Sequence, residues 1–193
     1  MSSETLVVVD ILAKRFEDLG IPYYVGGSVA SSVYGVFRAT NDADIVVDLK
    51  ESSVPDLVTA LSNDFYIDAD MIRNALHHGI SFNVIHLPTM VKADLFPLNE
   101  GAFERSEMGR RRPERIRILD NSEDIYFASP EDMVLQKLRW YRATGERSDR
   151  QWYDVQGILK VQGTSLDFDY MRYWAAELQI TDLLRQAFDD AGV

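Results

Sequence analysis

Two short stretches hold residue types whose spacing could do chemistry: Val25-Gly26-Gly27-Ser28, and then Asn41-Asp42-Ala43-Asp44-Ile45-Val46. A glycine pair after an apolar segment lets the backbone turn sharply and lets a phosphate approach closely. Main-chain N–H groups at a helix start, with the Ser28 hydroxyl, can then hold that phosphate. Asp42 and Asp44 lie two apart on an extended segment, so both carboxylates leave the same face. Converging carboxylates suit a hard divalent cation, Mg²⁺ with Mn²⁺ as an alternative, which takes oxygen ligands and substrate phosphates. Such an ion promotes in-line attack at phosphorus by stabilising the attacking and leaving oxygens. The pattern is neither a Walker loop, which needs Gly-Lys-Ser/Thr, nor a G-x-G-x-x-G fingerprint.

The elements that must position these residues are legible as patterns. Leu6, Val9, Ile11 or Leu12, Phe16 and Leu19 recur at helical spacing over residues 4–19, and Gly20 stops that helix. Residues 21–25 predict a buried strand, 28–34 a small-residue helix closed by Gly35, and 43–49 a second strand. Helices follow around 53–62 and 68–77, and strands over 81–87 and 91–96 join at Pro88-Thr89. Residues 98–112 predict a partly helical polar segment, and 115–119 with 124–127 a further strand pair. Ser129-Pro130-Glu131-Asp132 is a strong helix start, with a Ser cap, Pro at the first position and acids over the positive helix end. Helices alone follow, around 130–143, 149–160, 167–178 and 181–190. The expected class is α+β: a mixed sheet flanked by helices over 1–128, and a helical C-terminal region, 129–193, packed on it.

Composition bounds the function. The 193 residues are 46% hydrophobic and 26% charged, which excludes disorder, and there is no cysteine for a disulfide, a thiolate nucleophile or a zinc thiolate. The start lacks a basic leader region, its apolar stretch is broken by Asp10, and no apolar run reaches the ~18 residues of a membrane span. A cytoplasmic protein with no membrane partner is expected. The net charge of −11 is unevenly placed: residues 41–70 hold eight acids against Lys50, and 161–193 six acids against Arg172 and Arg185. Between them Arg105, Arg110, Arg111, Arg112, Arg115 and Arg117 stand against Glu107 and Glu114, so acidic and basic parts are separate.

The hydrophobic-Gly-Gly-Ser turn followed by Asp42-Ala43-Asp44 resembles the signature of the DNA polymerase β-like nucleotidyltransferase superfamily, with Ala43 smaller than the usual residue between the aspartates. That family places a third carboxylate on a later strand. Asp94 in Val91-Lys92-Ala93-Asp94-Leu95-Phe96 is the best match, and an acid amid apolar strand residues is costly without a metal or donor. Arg38 and Thr40 resemble the Arg-x-Thr that precedes the aspartates in bacterial members. Lys137-Leu138-Arg139-Trp140-Tyr141 and Asp149-Arg150-Gln151-Trp152-Tyr153-Asp154 are similar to helical motifs of the AbiEii-type toxin branch. Lys137 matches its lysine, Arg150 and Asp154 match the ends of its Arg-Asp-x-x-Asp element, and Gln151 replaces the inner Asp.

The resemblance implies a nucleotidyltransferase-like fold and a metal-dependent enzyme that moves a nucleoside monophosphate from a nucleoside triphosphate to a hydroxyl. Asp42, Asp44 and Asp94 would be catalytic and bind the metal. Gly26, Gly27 and Ser28 would hold the β- and γ-phosphates, and Arg38, Lys137, Arg150 and Asp154 would contact the nucleotide. The implied acceptors are an RNA end, gripped through the arginine cluster, a protein side chain or a small molecule, with a cognate antitoxin as a further partner. The residues leave two alternatives open: a catalytically weak nucleotide-binding or regulatory module of a toxin–antitoxin-like system, and an acidic nucleic-acid mimic, against which the split charge argues. Side by side with these roles stand plain structural ones. Lys137 can cover apolar surface, Arg150 and Asp154 can pair one helical turn apart, and the arginines can neutralise neighbouring acids. Trp140, Tyr141, Trp152 and Tyr153 are expected as helix packing, and His86 as a packed strand histidine. His77, His78 and His86 lack metal-ligand spacing.

Overall fold

The computed structural model describes residues 3–115 and 124–193. It divides into two compact units: the described residues of 1–29 and 39–127 form the first, and those of 30–38 and 128–193 the second. The second unit is therefore not a simple C-terminal block, because residues 30–38 belong with it.

Among the described residues of the first unit, seven strands make one mixed sheet. They are β1 (Tyr23–Val25), β2 (Asp42–Val47), β3 (Phe65–Tyr66), β4 (Phe82–His86), β5 (Lys92–Pro97), β6 (Arg112–Glu114) and β7 (Ile125–Phe127). Their order is β3-β4-β5-β2-β1-β7-β6. The β2–β5 and β1–β7 pairs are parallel and the others antiparallel. Helices α1 (Ser3–Asp18), α3 (Val54–Leu61), α4 (Ala69–His78) and α5 (Ala102–Arg110) accompany them, while α2 (Gly27–Tyr34) carries the chain out of this unit.

Alternation along the strands sorts the two sheet faces. Ala43, Ile45 and Val47 of β2, Ala93 and Leu95 of β5, and Phe82 and Val84 of β4 are buried, while their alternates are more exposed. α1 supplies Leu6, Val9, Leu12, Ala13 and Phe16 to the core, each large side chain worth roughly 1.5–3 kcal/mol of burial. Leu12 rather than Ile11 takes the inward position. The Tyr23 hydroxyl donates to Glu17 over 2.9 Å, and burial, followed by that bond, pushes its pKa far above the ordinary phenol value. It stays protonated and ties α1 to β1.

The helices fall where the sequence places them, α4 with the Asp68 cap on the Met71 amide and Gly79 in the left-handed conformation at its end. The two-residue β3 is too short to show a strand period, which is why it escapes sequence reading. β7 pairs with β6 at 112–114; of the expected strand at 115–119, all but Arg115 lies outside the described residues.

The second unit contains α6 (Pro130–Ala143), α7 (Asp149–Gln162), α8 (Phe168–Glu177) and α9 (Thr181–Ala191). Ser129 caps α6 as its sequence predicts, accepting from the Asp132 amide over 3.2 Å. Asp132 is wholly buried and accepts from the Ser129 and Tyr170 hydroxyls, each at 2.6 Å, which locks α8 to the start of α6. Residues 30–38 lie against α7, where Gly35 and Gly157 permit the approach: a Cβ on Gly35 would stand 2.9 Å from the Gly157 carbonyl carbon. Part of the 161–193 acidity has structural work here: Asp167 caps α8, Asp169 pairs with Arg172, and Asp182 with Arg142.

Candidate active site

The parallel pairing of β2 with β5 sets the geometry. Asp42 stands beside Lys92 and Asp44 beside Asp94. Paired residues on adjacent strands share a face, and the strands run about 4.8 Å apart. All four side chains therefore rise from the less buried face of the sheet, with Asn83 of β4 opposite Asp94. On the other side of β2 the β1 ladder is extended by the Gly26 amide, which donates to the Asp44 carbonyl over 2.8 Å. The glycine turn and the second aspartate are thus neighbours through the backbone.

Gly27 is required for that closeness. Its φ of +56° lies in the left-handed region, and a Cβ there would stand 2.6 Å from the Asp44 Cγ. The carboxylate occupies the space a side chain would take. Ser28 follows in the first turn of α2. Thr40 fixes the approach to β2 by donating to the Asp42 carbonyl over 3.2 Å.

Three carboxylates in adjacent rows repel one another, by about 1 kcal/mol per pair at 4 Å in a water-like medium. Lys92 offsets this. Its Nζ donates to Asp94 Oδ2 at 2.7 Å, with the lysine side chain 40% and the aspartate 24% exposed. The hydrogen bond to Asp94 raises the Lys92 pKa above the ordinary amine value, and the negative charges of Asp94, Asp42 and Asp44 add to it against partial desolvation. Asp42, Asp44 and Asp94 share this face, although among the described residues no three His, Cys, Asp or Glu groups stand close enough as placed to hold a metal ion. The Lys92 ammonium stands on the same face, bonded to Asp94. The donor set nevertheless fits a divalent cation, being hard anionic oxygens on one face around a site that already attracts positive charge.

The second unit holds the other expected residues. Lys137 and Asp154 are buried and paired at 2.8 Å, Gln151 Oε1 accepts from the same ammonium at 3.1 Å, and Arg38 Nε approaches the second Asp154 oxygen at 3.4 Å. The residue that departs from the branch pattern, Gln151, thus touches the lysine. Arg150 is exposed, and the recorded partners of Asp154 are Lys137 and Arg38 rather than the helical neighbour one turn back. Burial explains this: an inward Asp154 cannot meet an outward Arg150. Tyr141 and Trp152 pack at 5.2 Å as helix contacts, while Trp140 and Tyr153 are largely exposed. Trp152, Tyr153, Asp149 and Lys160 line an open cleft of about 450 Å³ in this unit.

Much of the arginine cluster is engaged locally. Arg105 donates to the Glu100 carbonyl, Arg111 lies 4.9 Å over the Tyr126 ring, and Arg115 pairs with Asp124 at 3.2 Å. Arg112 is exposed, Arg110 is partly exposed, and Arg117 lies outside the described residues. His86 is buried against Phe65 and bonded to Thr89 over 2.8 Å, a packed histidine. The residue that sequence reasoning left without a role is Lys92. Its spacing of two from Asp94 on a strand was the available signal, since it puts both on one face.

No family model matches the chain, and no curated protein matches it closely. Solved structures do. An antigenic nucleotidyltransferase-like protein from Paracoccidioides brasiliensis superposes with a TM-score of 0.55 at 18% identity, over 98% of this chain and 94% of that one. ANT(2")-Ia in complex with adenylyl-2"-tobramycin gives 0.55 at 14% identity over 92% and 98%. The lincosamide antibiotic adenylyltransferase LnuA, lincomycin-bound, gives 0.52 at 12% identity over 83% and 98%. The fold is nucleotidyltransferase-like. No described helix is long and apolar enough to cross a membrane.

Proposed function

We propose that this chain is a metal-dependent nucleotidyltransferase that moves a nucleoside monophosphate from a nucleoside triphosphate to a hydroxyl of a small molecule. One observation carries the reading: the β2–β5 register sets Asp42, Asp44 and Asp94 on one face, beside a glycine turn at a helix start. The nucleotidyltransferase-like fold supports it, and so does the pairing of that fold with antibiotic acceptors in the ANT(2")-Ia and LnuA structures.

Asp42, Asp44 and Asp94 would hold the divalent cation, Mg²⁺ or Mn²⁺. Bound there, it would supply Lewis-acid stabilisation of the attacking and leaving oxygens. Gly26, Gly27 and Ser28 would hold the β- and γ-phosphates through main-chain N–H groups and the serine hydroxyl. Asp94, released from Lys92, would accept the proton of the acceptor hydroxyl as its oxygen bonds to the α-phosphorus and pyrophosphate departs. Arg38, Lys137, Arg150 and Asp154 keep the nucleotide-contacting role that the family resemblance implies. The structural neighbours give no support to an RNA acceptor or an antitoxin partner, and the local engagement of Arg105, Arg111 and Arg115 reduces the charge available to a phosphate backbone.

The test is incubation with Mg²⁺, each α-labelled nucleoside triphosphate and a panel of polyhydroxylated small molecules, aminoglycosides and lincosamides among them. Label should pass to an acceptor with the native protein and fall by about 10³-fold, the scale of several kcal/mol of transition-state stabilisation, in Asp42→Ala/Asp44→Ala. Equal transfer by both proteins would sink the reading.

A further inference from the structure

We infer that Lys92 is an internal competitor for the divalent cation: its ammonium holds Asp94 Oδ2, and a cation that takes this oxygen must displace it. The inference rests on the metal-dependent reading above and gives Lys92 a role of its own in it.

The sheet places the competitor on the carboxylate face. Lys92 and Asp94 are alternate residues of β5, so both leave the same face, and the parallel register puts Asp42 beside the lysine and Asp44 beside the aspartate. The ammonium thus lies on the carboxylate face and donates to Asp94 at 2.7 Å. Asp94 Oδ2 is the oxygen bonded to the ammonium, so an ion that draws on that oxygen competes with the contact. Exposure makes the contact breakable: Lys92 is 40% exposed, and water can solvate its ammonium after release. A divalent ion with direct oxygen ligands outcompetes a monovalent ammonium on a flexible stem. The lysine also screens three neighbouring carboxylates that would otherwise repel one another.

The test is calorimetric titration of the full chain with Mn²⁺ alone, without nucleotide, at about 0.15 M salt so that charges beyond ~8 Å are screened. Lys92→Ala should bind Mn²⁺ about three- to tenfold more tightly than the native protein, the scale of a partly exposed ion pair. Lys92→Gln should tighten binding likewise, whereas Lys92→Arg, which keeps the charge, should stay within about twofold. In an Asp94→Asn background the gain from Lys92→Ala should vanish, since the contact it relieves is already gone. A gain that persists there would reduce Lys92 to a general field effect and overturn the competition. Equal or weaker Mn²⁺ binding by Lys92→Ala would overturn it outright while leaving the metal site standing. Absence of Mn²⁺ binding in every variant and in the native protein would overturn both.

Discussion

Two lysine–aspartate pairs of nearly equal length sit in different regions of this protein. Lys92 and Asp94 meet at 2.7 Å on the sheet of the first unit, and Lys137 and Asp154 at 2.8 Å among the helices of the second. In the first pair the side chains are 40% and 24% exposed; in the second they are 6% and 2% exposed. Water decides what each pair can do. On the sheet either partner can be resolvated, so the contact is exchangeable and suits the proposed cation site. Among the helices neither charge has water to return to, and Gln151 and Arg38 add a contact each. That pair fixes structure, and any nucleotide contact by Lys137 has to be made by an ammonium already bonded.

The contrast is broken most directly by removing each aspartate. Asp154→Ala should cost about 3–5 kcal/mol in urea unfolding, because it strands a buried ammonium. Asp94→Ala should cost less than about 1 kcal/mol in the same experiment. Similar losses in the two variants would mean that burial does not separate the pairs.

A smaller effect asks how tolerant the exposed face is. Gly27→Ala should lower stability by roughly 1–3 kcal/mol through its positive φ and its collision with Asp44. It should also weaken Mn²⁺ binding by displacing that carboxylate. Native-like binding in a folded Gly27→Ala protein would show that Asp44 need not stand where it does.

The smallest effect belongs to a third pair, Arg142 with Asp182, which is exposed and sharpens the exposed end of the comparison. The hydrogen bond from Arg142 holds the Asp182 carboxyl below its ordinary range. Its contribution is therefore present above the unfolded value near pH ~4 and lost as pH falls through the lower folded value. The melting temperatures of the native protein and Asp182→Asn should differ by about a degree at neutral pH and converge near pH ~2. A difference that grows on acidification would reverse the sign.

The helices were readable because each carries its own stop or start: Gly20 after α1, the Asp68 cap and Gly79 at α4, Ser129-Pro130 at α6. Apolar alternation made β2, β4 and β5 readable for the same local reason. β3 was not, since two residues have no period, and neither was the membership of residues 30–38 in the second unit, which depends on Gly35 meeting Gly157 far along the chain. At the candidate site, the types and the shared face of Asp42 and Asp44 followed from spacing. The pairing of Arg150 with Asp154, also drawn from spacing, did not hold, because helical proximity says nothing about which side chain turns inward.

The sequence by itself determined the acids, the glycine turn and the periodicities that raise Asp42 with Asp44, and Lys92 with Asp94, from single strand faces. These are properties of a few consecutive residues, fixed by backbone geometry. Only the tertiary structure decided that β5 lies parallel to β2 in the register that sets Asp44 beside Asp94, that Gly27 yields its side-chain space to Asp44, and that one lysine–aspartate pair meets water while the other does not. Strand register and burial are set by residues distant in the chain, so no local pattern can carry them.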